Sequence, residues 1–119
     1  MAALKEKAIT LLGSAVLTMT TAAGGTVFTV PTGKVCRITH VVFRDPSATM
    51  LLATNLSITG FRSGFSIAAL TSSTGYLVVQ ATDLTQYTEQ TGGTAIAVTI
   101  TTGAATGTCT VDVFGYLSN

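Results

Sequence analysis

The stretch Thr26 to Arg44, TVFTVPTGKVCRITHVVFR, constrains the fold more than any other, because two apolar runs of strand composition flank Pro31-Thr32-Gly33-Lys34. Pro31 pre-sets its φ for the first central position of a turn, Gly33 accepts the positive φ that reverses a chain, and Lys34 keeps the tip in water. The spacing predicts a β-hairpin. Its second strand, Val35 to Arg44, is the longest β-branched run in the protein and stops at Asp45-Pro46-Ser47, since the residue before a proline is pushed out of regular pairing geometry. Period-two alternation places Cys36, Ile38, His40 and Val42 on one face, and Val35, Arg37, Thr39, Val41 and Phe43 on the other. Both faces are apolar toward the C-terminal end, which suits a strand with the core on one side and a covering loop or neighbouring subunit on the other. Arg37 is expected at the outer face or rim, solvated.

The C-terminal third predicts a second hairpin. In Thr94 to Thr101, Ile96, Val98 and Ile100 share one face while Ala95, Ala97 and Thr99 share the other. Gly103 to Gly107 links this strand to Thr108 to Leu117, where Cys109, Val111, Val113 and Leu117 form the inward row and Thr108, Thr110 and Asp112 face out. The predicted core is therefore Ile38, Val42, Ile96, Val98, Ile100, Val111 and Val113. Between the two hairpins lie shorter pieces. Asn55 to Phe61 alternates with Leu56 and Ile58 on one face, and Arg62-Ser63-Gly64 reads as a turn. Phe65 to Leu70 fits either a helical turn or a strand, Ser72 to Gly75 reads as a loop, and Tyr76 to Gln80 as a short buried strand. Ala81 to Gly93 is polar, and contains Asp83, Tyr87 and Glu89. About eight strands at roughly ten-residue spacing, with no helix of core length, predict a single-domain all-β sandwich or jelly roll spanning residues 26–119.

Residues 1–25 break this pattern. AALKEKAITLL has helical composition but is too short to hold a helix alone, Gly13-Ser14 interrupts it, and Ala22 to Gly25 reads as a joint. The segment is expected to be an N-terminal arm or a first edge strand. As an assembly arm, its contacts would be Leu4, Lys5, Leu11, Leu12, Val16 and Leu17, added to a neighbour's sheet edge. Lys5 and Lys7 ahead of an apolar run imitate a secretory signal. Glu6, and the interruption at Gly13-Ser14, argue against one. The run is also far shorter than the ~20 residues that span a bilayer, so no membrane partner is expected.

Composition narrows the function classes. Charged residues make 9% of the 119-residue chain and apolar residues 47%, with mean hydropathy +0.57, whereas an ordinary soluble domain carries roughly 25% charge. So little charge leaves apolar surface that a small monomer cannot hide, and a homo-oligomer is expected. The six basic residues, Lys5, Lys7, Lys34, Arg37, Arg44 and Arg62, are scattered and do not interleave with aromatics, which argues against nucleic acid. Cys36 and Cys109 form no CxxC unit; buried free thiols are the favoured reading, with a disulfide as the alternative. His40 is the only histidine and has no nucleophile or second imidazole at motif spacing, so it reads as a satisfied strand histidine. Asp45, Asp83, Glu89 and Asp112 never occur in a metal-loop pattern, Asn55-Leu56-Ser57 is a sequon of the kind that arises by chance, and no glycine-rich piece opens a helix. Neither catalysis nor a cofactor or metal is expected.

Two segments carry a resemblance. FTVPTGKVCRITHVVFRDPSA and the ending TCTVDVFGYL look like those of small tailed-bacteriophage virion proteins, in which a TVP-x-GK turn leads into a β-branched strand and a TVDVFGYL strand ends the chain. The resemblance implies a jelly-roll-like decoration, or cement, protein on the outer surface of an icosahedral capsid. It would bind the major capsid protein, commonly as a trimer, with no catalytic residue to carry over. The competing reading is a tail or head-fibre module that recognises a host glycan or receptor through its loops. The lack of Trp, with only Tyr76, Tyr87 and Tyr116 to offer a polar aromatic tip, disfavours it. A minor coat or tail-tube subunit is a third reading.

Overall fold

The computed structural model describes residues 9–71, 75–83, 86 and 88–119; Leu4, Lys5, Tyr87 and most of the 72–75 loop lie outside them. The described residues form strands β1 (Thr10–Thr18), β2 (Gly24–Thr29), β3 (Val35–Arg44), β4 (Asn55–Ile58), β5 (Arg62–Phe65), β6 (Tyr76–Gln80), β7 (Gln90–Thr91), β8 (Ala95–Thr102) and β9 (Thr108–Ser118). They make two antiparallel sheets. One has the order β1-β9-β3-β6, with the two-residue β7 beside β3, and the other the order β2-β8-β4-β5. A single core drawn from the inner faces of both sheets lies between them, so the protein is an all-β sandwich, as its strand spacing predicts.

Neither predicted hairpin is one. The Pro31–Lys34 turn exists, with Lys34 N–H donating to the Pro31 carbonyl at 3.1 Å and Gly33 at φ 82°. Pro31 is thus the first residue of the turn, one place earlier than expected, and Thr32 takes the first central position. The strands it joins part company: β2 pairs with β8, while β3 pairs with β9 on one edge and with β6 and β7 on the other. With both of its edges taken, β3 has none left for β2. β8 and β9 part in the same way, since β9 lies between β1 and β3 in the opposite sheet. Each connection is a crossover that carries the chain from one sheet to the other, so no backbone ladder joins the strands it links.

The core rows of β8 and β9 follow the period-two reading. Ile96, Val98 and Ile100 are buried against Cys109, Val111 and Val113, while Thr99 and Thr101 face water. On β3 the row slips. Cys36 and Ile38 point inward as expected, but the buried residues beyond them are Val41 and Phe43, and Val42 lies half-buried on the outer face. The reason is a β-bulge: between Ile38 and His40 the register with β9 shifts, so that Thr39 is an extra residue. A bulge inverts every side chain after it. Thr39 Oγ1 donates to the Phe114 carbonyl at 3.3 Å, and Gly115 lies opposite, where a Cβ would run into the Arg37 carbonyl oxygen.

Residues 10–25 are an integral part of the sandwich: of the two expectations the first edge strand holds, whereas a separate arm, with the sandwich beginning at residue 26, does not. β1 runs straight through Gly13-Ser14 and pairs with β9 along its whole length, with an irregularity at Leu12. Leu17 and Met19 are buried in the core, and Leu12 packs partly against it. Leu11 and Val16 stay exposed. At Gly13 a Cβ would meet Val27 O and Phe28 Cβ, both at 2.8 Å, so the residue that reads as a break is where β2 packs closest. Three smaller expectations also change. Arg62-Ser63-Gly64 is strand β5, the turn falling instead at 59–61; Phe65 ends that strand rather than opening an element; and β6 is an edge strand with Tyr76 and Val78 exposed.

Val41→Ala is expected to cost about 2 kcal/mol and Val42→Ala less than about 1, and chemical denaturation of both variants checks the bulge register, which equal costs would refute. Gly115→Ala should lose about 2 kcal/mol through the clash with the Arg37 carbonyl. A chain lacking residues 1–24 should lose cooperative unfolding, because it strips one edge of β9 and removes Leu17 and Met19; a sharp melt near the full-length midpoint would show that β1 is dispensable.

Candidate functional site

The two outer faces of the sandwich differ in chemistry. On the β2-β8-β4-β5 sheet the exposed side chains include Thr26, Thr29, Thr99, Thr101, Thr102, Asn55 and Ser63, small and polar, with Ala95 among them. On the β1-β9-β3-β6 sheet, β1 presents Leu11 and Val16, and β6 presents Tyr76 and Val78, with Val16 68% and Tyr76 71% exposed. Between these edges β9 and β3 bring Phe114, Tyr116, His40 and Val42 to the same face, half-buried. The bulge at Thr39 puts Val42 there. Isolated exposed apolar residues are ordinary, whereas a group gathered on one sheet face marks a contact surface.

A polar network lies within this face. Asp112, only 7% exposed, accepts from Ser14 Oγ at 2.5 Å and from Arg44 Nε at 2.7 Å, and Arg44 Nη1 donates to Asp45 Oδ2 at 2.8 Å. Burial pushes the Asp112 carboxyl up. The hydrogen bonds from Arg44 and Ser14, with the charge of Arg44, outweigh it and hold the group below its ordinary 3.8. The same contacts raise the Arg44 guanidinium. The network pins β1, β9 and β3 together on their outer side, because Ser14 and Val42 are the direct neighbours of Asp112 in the ladders. With its donors supplied from within the chain, the carboxylate has the character of a strut.

His40 stacks on Phe114 with ring centroids 4.6 Å apart and planes 6° from parallel, and its Nδ1 lies 3.0 Å from Thr39 Oγ1. It is a packed strand histidine. Arg37 is exposed and its Nη2 lies 3.7 Å from Glu89 Oε2, a surface pair of small energetic weight. Cys36 and Cys109 are free and buried, as the favoured reading has it; burial raises both thiols, Cys109 to about 11 with a contribution from the charge of Asp45. Among the described residues no three His, Cys, Asp or Glu groups gather to hold a metal ion, and no helix is long and apolar enough to cross a membrane.

A second apolar feature lies at the end of the sandwich where β3 finishes. Leu51 and Leu52, each 59% exposed, sit at the tip of a turn whose flanks, Met50 and Ala53, are fully buried. Ala53 N–H donates to the Met50 carbonyl at 2.8 Å and Met50 N–H to the Leu70 carbonyl at 3.0 Å, so the pair stands on a fixed base. Sequence reasoning missed it, for Met50 to Ala53 carries no turn residue. No protein-family model, curated protein or solved structure matches the chain.

Asp112→Ala should destabilise the fold by about 2 kcal/mol, the worth of hydrogen bonds to a charged group. Because the folded carboxyl titrates below its unfolded value, its contribution is complete above about pH 4 and is lost as the pH falls through the folded value. The melting temperature of the wild type should therefore drop more steeply below about pH 4 than that of Asp112→Asn, and parallel profiles would show that the network does not couple to folding. A thiol reagent at about pH 8 should label neither cysteine in the folded protein and both after unfolding; rapid labelling of either in the folded state would refute its burial.

Proposed function

We propose that this chain is a non-enzymatic structural protein of a tailed-phage virion: a jelly-roll decoration protein that assembles as a homo-oligomer on the outer capsid surface and stabilises the major capsid lattice. The carrying observation is the gathering of Leu11, Val16, Phe114, Val42, Val78 and Tyr76 on one sheet face opposite a face of threonine and serine. A surface of that kind is suited to permanent contact, since obligate interfaces are the more apolar ones. Strand order supports the jelly-roll reading. β1/β9, β2/β8, β3/β6 and β4/β5 are successive antiparallel pairs that alternate between the sheets, as in a long two-stranded ribbon wrapped on itself. Leu51 and Leu52 add a rigid apolar knob of the sort that fills a pocket on a partner.

The fibre-module reading wants exposed rings around its loops. Among the described residues the exposed aromatic is Tyr76, on a sheet edge. Copy number separates the two readings: a decoration protein is present hundreds of times per particle and a fibre module a few or tens, and quantitative protein analysis of purified particles, with a cryo-EM map of the head, measures it.

Purified protein added to heads that lack it should restore their resistance to heating or chelation. The double change Leu51→Ser and Leu52→Ser should weaken that binding about tenfold or more, while leaving the melting temperature of the free protein within about 2 °C, as expected for exposed side chains. Undiminished binding would remove the knob from the contact, and a protein absent from particles would refute the virion role.

A further inference from the structure

The four sheet edges of this sandwich are protected unequally, and the exception identifies a partner. β5 is four residues long and β6 five, and Arg62 on β5 reaches across to donate to the Gln80 carbonyl of β6 at 3.0 Å, which closes that side. β2 is six residues long, opens with Gly24-Gly25 and has a bulge between Thr26 and Phe28, a feature that β1 shares at Leu12. Otherwise β1 differs. It is nine residues long, TLLGSAVLT, with no charge and no proline, it pairs only with β9 among the described residues, and it shows Leu11 and Val16 to solvent. Natural sheets blunt such an edge with lysine, proline or brevity. This one is left open.

We propose that the free edge of β1 pairs antiparallel with β1 of a second copy of this chain across a two-fold axis at Ser14. The β1–β9 register supplies the argument. Leu11, Ser14 and Val16 lie opposite Phe114, Asp112 and Thr110, alternate positions of one β9 face. The extra residue at Leu12 thus brings Leu11 and Val16 onto the same face, at equal ladder distances on either side of Ser14. A two-fold axis there sets Leu11 against the second copy's Val16, Gly13 against its Ala15 and Ser14 against its Ser14. Every pair lies on matching faces, and on the outer face both exposed apolar side chains, Leu11 and Val16, meet an apolar one, a combination that stabilises cross-strand pairing, while on the inner face Leu17 comes opposite Thr10. A strand from an unrelated protein meets this match only by chance, whereas a second copy meets it by symmetry. Charge does not oppose the contact, since β1 has none and the adjacent Asp112 is neutralised by Arg44 within its own chain. The joined sheets would run β6-β3-β9-β1 into β1-β9-β3-β6 of the second copy, which satisfies the backbone donors and acceptors of both edges. The inference stands apart from the virion reading.

The test uses the full chain. Sedimentation at micromolar concentration should give twice the chain mass, and Val16→Lys should raise the dimer dissociation constant about tenfold by removing two apolar cross-strand pairs without changing the circular dichroism spectrum. Register is read separately by oxidation. A mixture of Leu11→Cys and Val16→Cys chains should form a disulfide-linked dimer, whereas either variant alone should not, because like positions would lie about 13 Å apart along the strand. A trimer mass, equal cross-linking of the single variants, or a monomer at about 100 μM would overturn the proposal. So would a monomer whose β1 amides gain exchange protection only on a particle, which would place another protein's strand at this edge.

Discussion

The fold depends on paired crossovers. Where β1 leaves the first sheet for β2, and where β8 leaves the second for β9, the two connections run side by side: Ala104 N–H donates to the Met19 carbonyl at 2.9 Å and Met19 N–H to the Gly107 carbonyl at 3.0 Å. The other end repeats the device, with Val30 N–H on the Thr94 carbonyl at 2.9 Å and Gly93 N–H on the Val30 carbonyl at 2.8 Å. Backbone pairing therefore continues through the bends, so groups that a lone loop would leave to water are satisfied in the interior. Close approach there demands glycine. A Cβ at Gly103 would collide with the backbone of Met19 and Thr20, and one at Gly92 with the Pro31 carbonyl.

Two crossovers locked to each other fix which faces look inward. Once Met19 and Val30 are held in the core, the strand between them has little freedom of register, and the same holds for β8 between its two bends. The inner faces then collect Ile96, Val98, Ile100, Val111 and Val113 without a polar intruder. The outer face of the β1-β9-β3-β6 sheet takes what remains, which includes the buried Asp112. Its burial is tolerated because Ser14 and Arg44 arrive from both neighbouring strands to meet it, the condition under which a carboxylate withstands desolvation. One strut thus holds rigid the surface that displays the apolar side chains.

Strand composition, the core rows of β8 and β9 and the two-layer class were legible in the sequence, since uninterrupted alternation maps directly onto a buried face. Four things were not. A turn such as Pro31–Lys34 reverses the chain equally well within a sheet or between sheets, so its residues could not tell a hairpin from a crossover. The bulge at Thr39 was hidden because Val41 and Val42 are the same residue, and inverting the strand there leaves its hydrophobic pattern unchanged. Gly115, inside β9 three residues before its end at Ser118, was the usable signal, for a glycine within a β-branched run suggests a close backbone approach. At β1, Gly13 read as a break when it marks the place where β2 comes nearest. The outer apolar face could not be read at all, since Tyr76 and Leu11 are far apart in sequence and only strand order brings them to one surface.

Charge explains why that face matters to the protein as a whole. Arg44, Asp45 and Asp112 are joined in one network, and Arg37 lies near Glu89, so much of an already small complement of charge is engaged within the chain. Threonine hydroxyls keep the β2-β8-β4-β5 face wet, whereas the opposite face sets Leu11, Val16, Val78 and Tyr76 among its polar Ser14, Thr18, Arg37 and Gln80. A monomer would have to expose Leu11, Val16, Val78 and Tyr76 beside an unblunted strand edge, the combination that drives uncontrolled edge-to-edge association. The proposed assembly would remove the hazard and use the same surface. Low charge, an open edge and an apolar face all fit the assembly proposed above, in which a neighbouring molecule would complete the burial that the fold leaves unfinished.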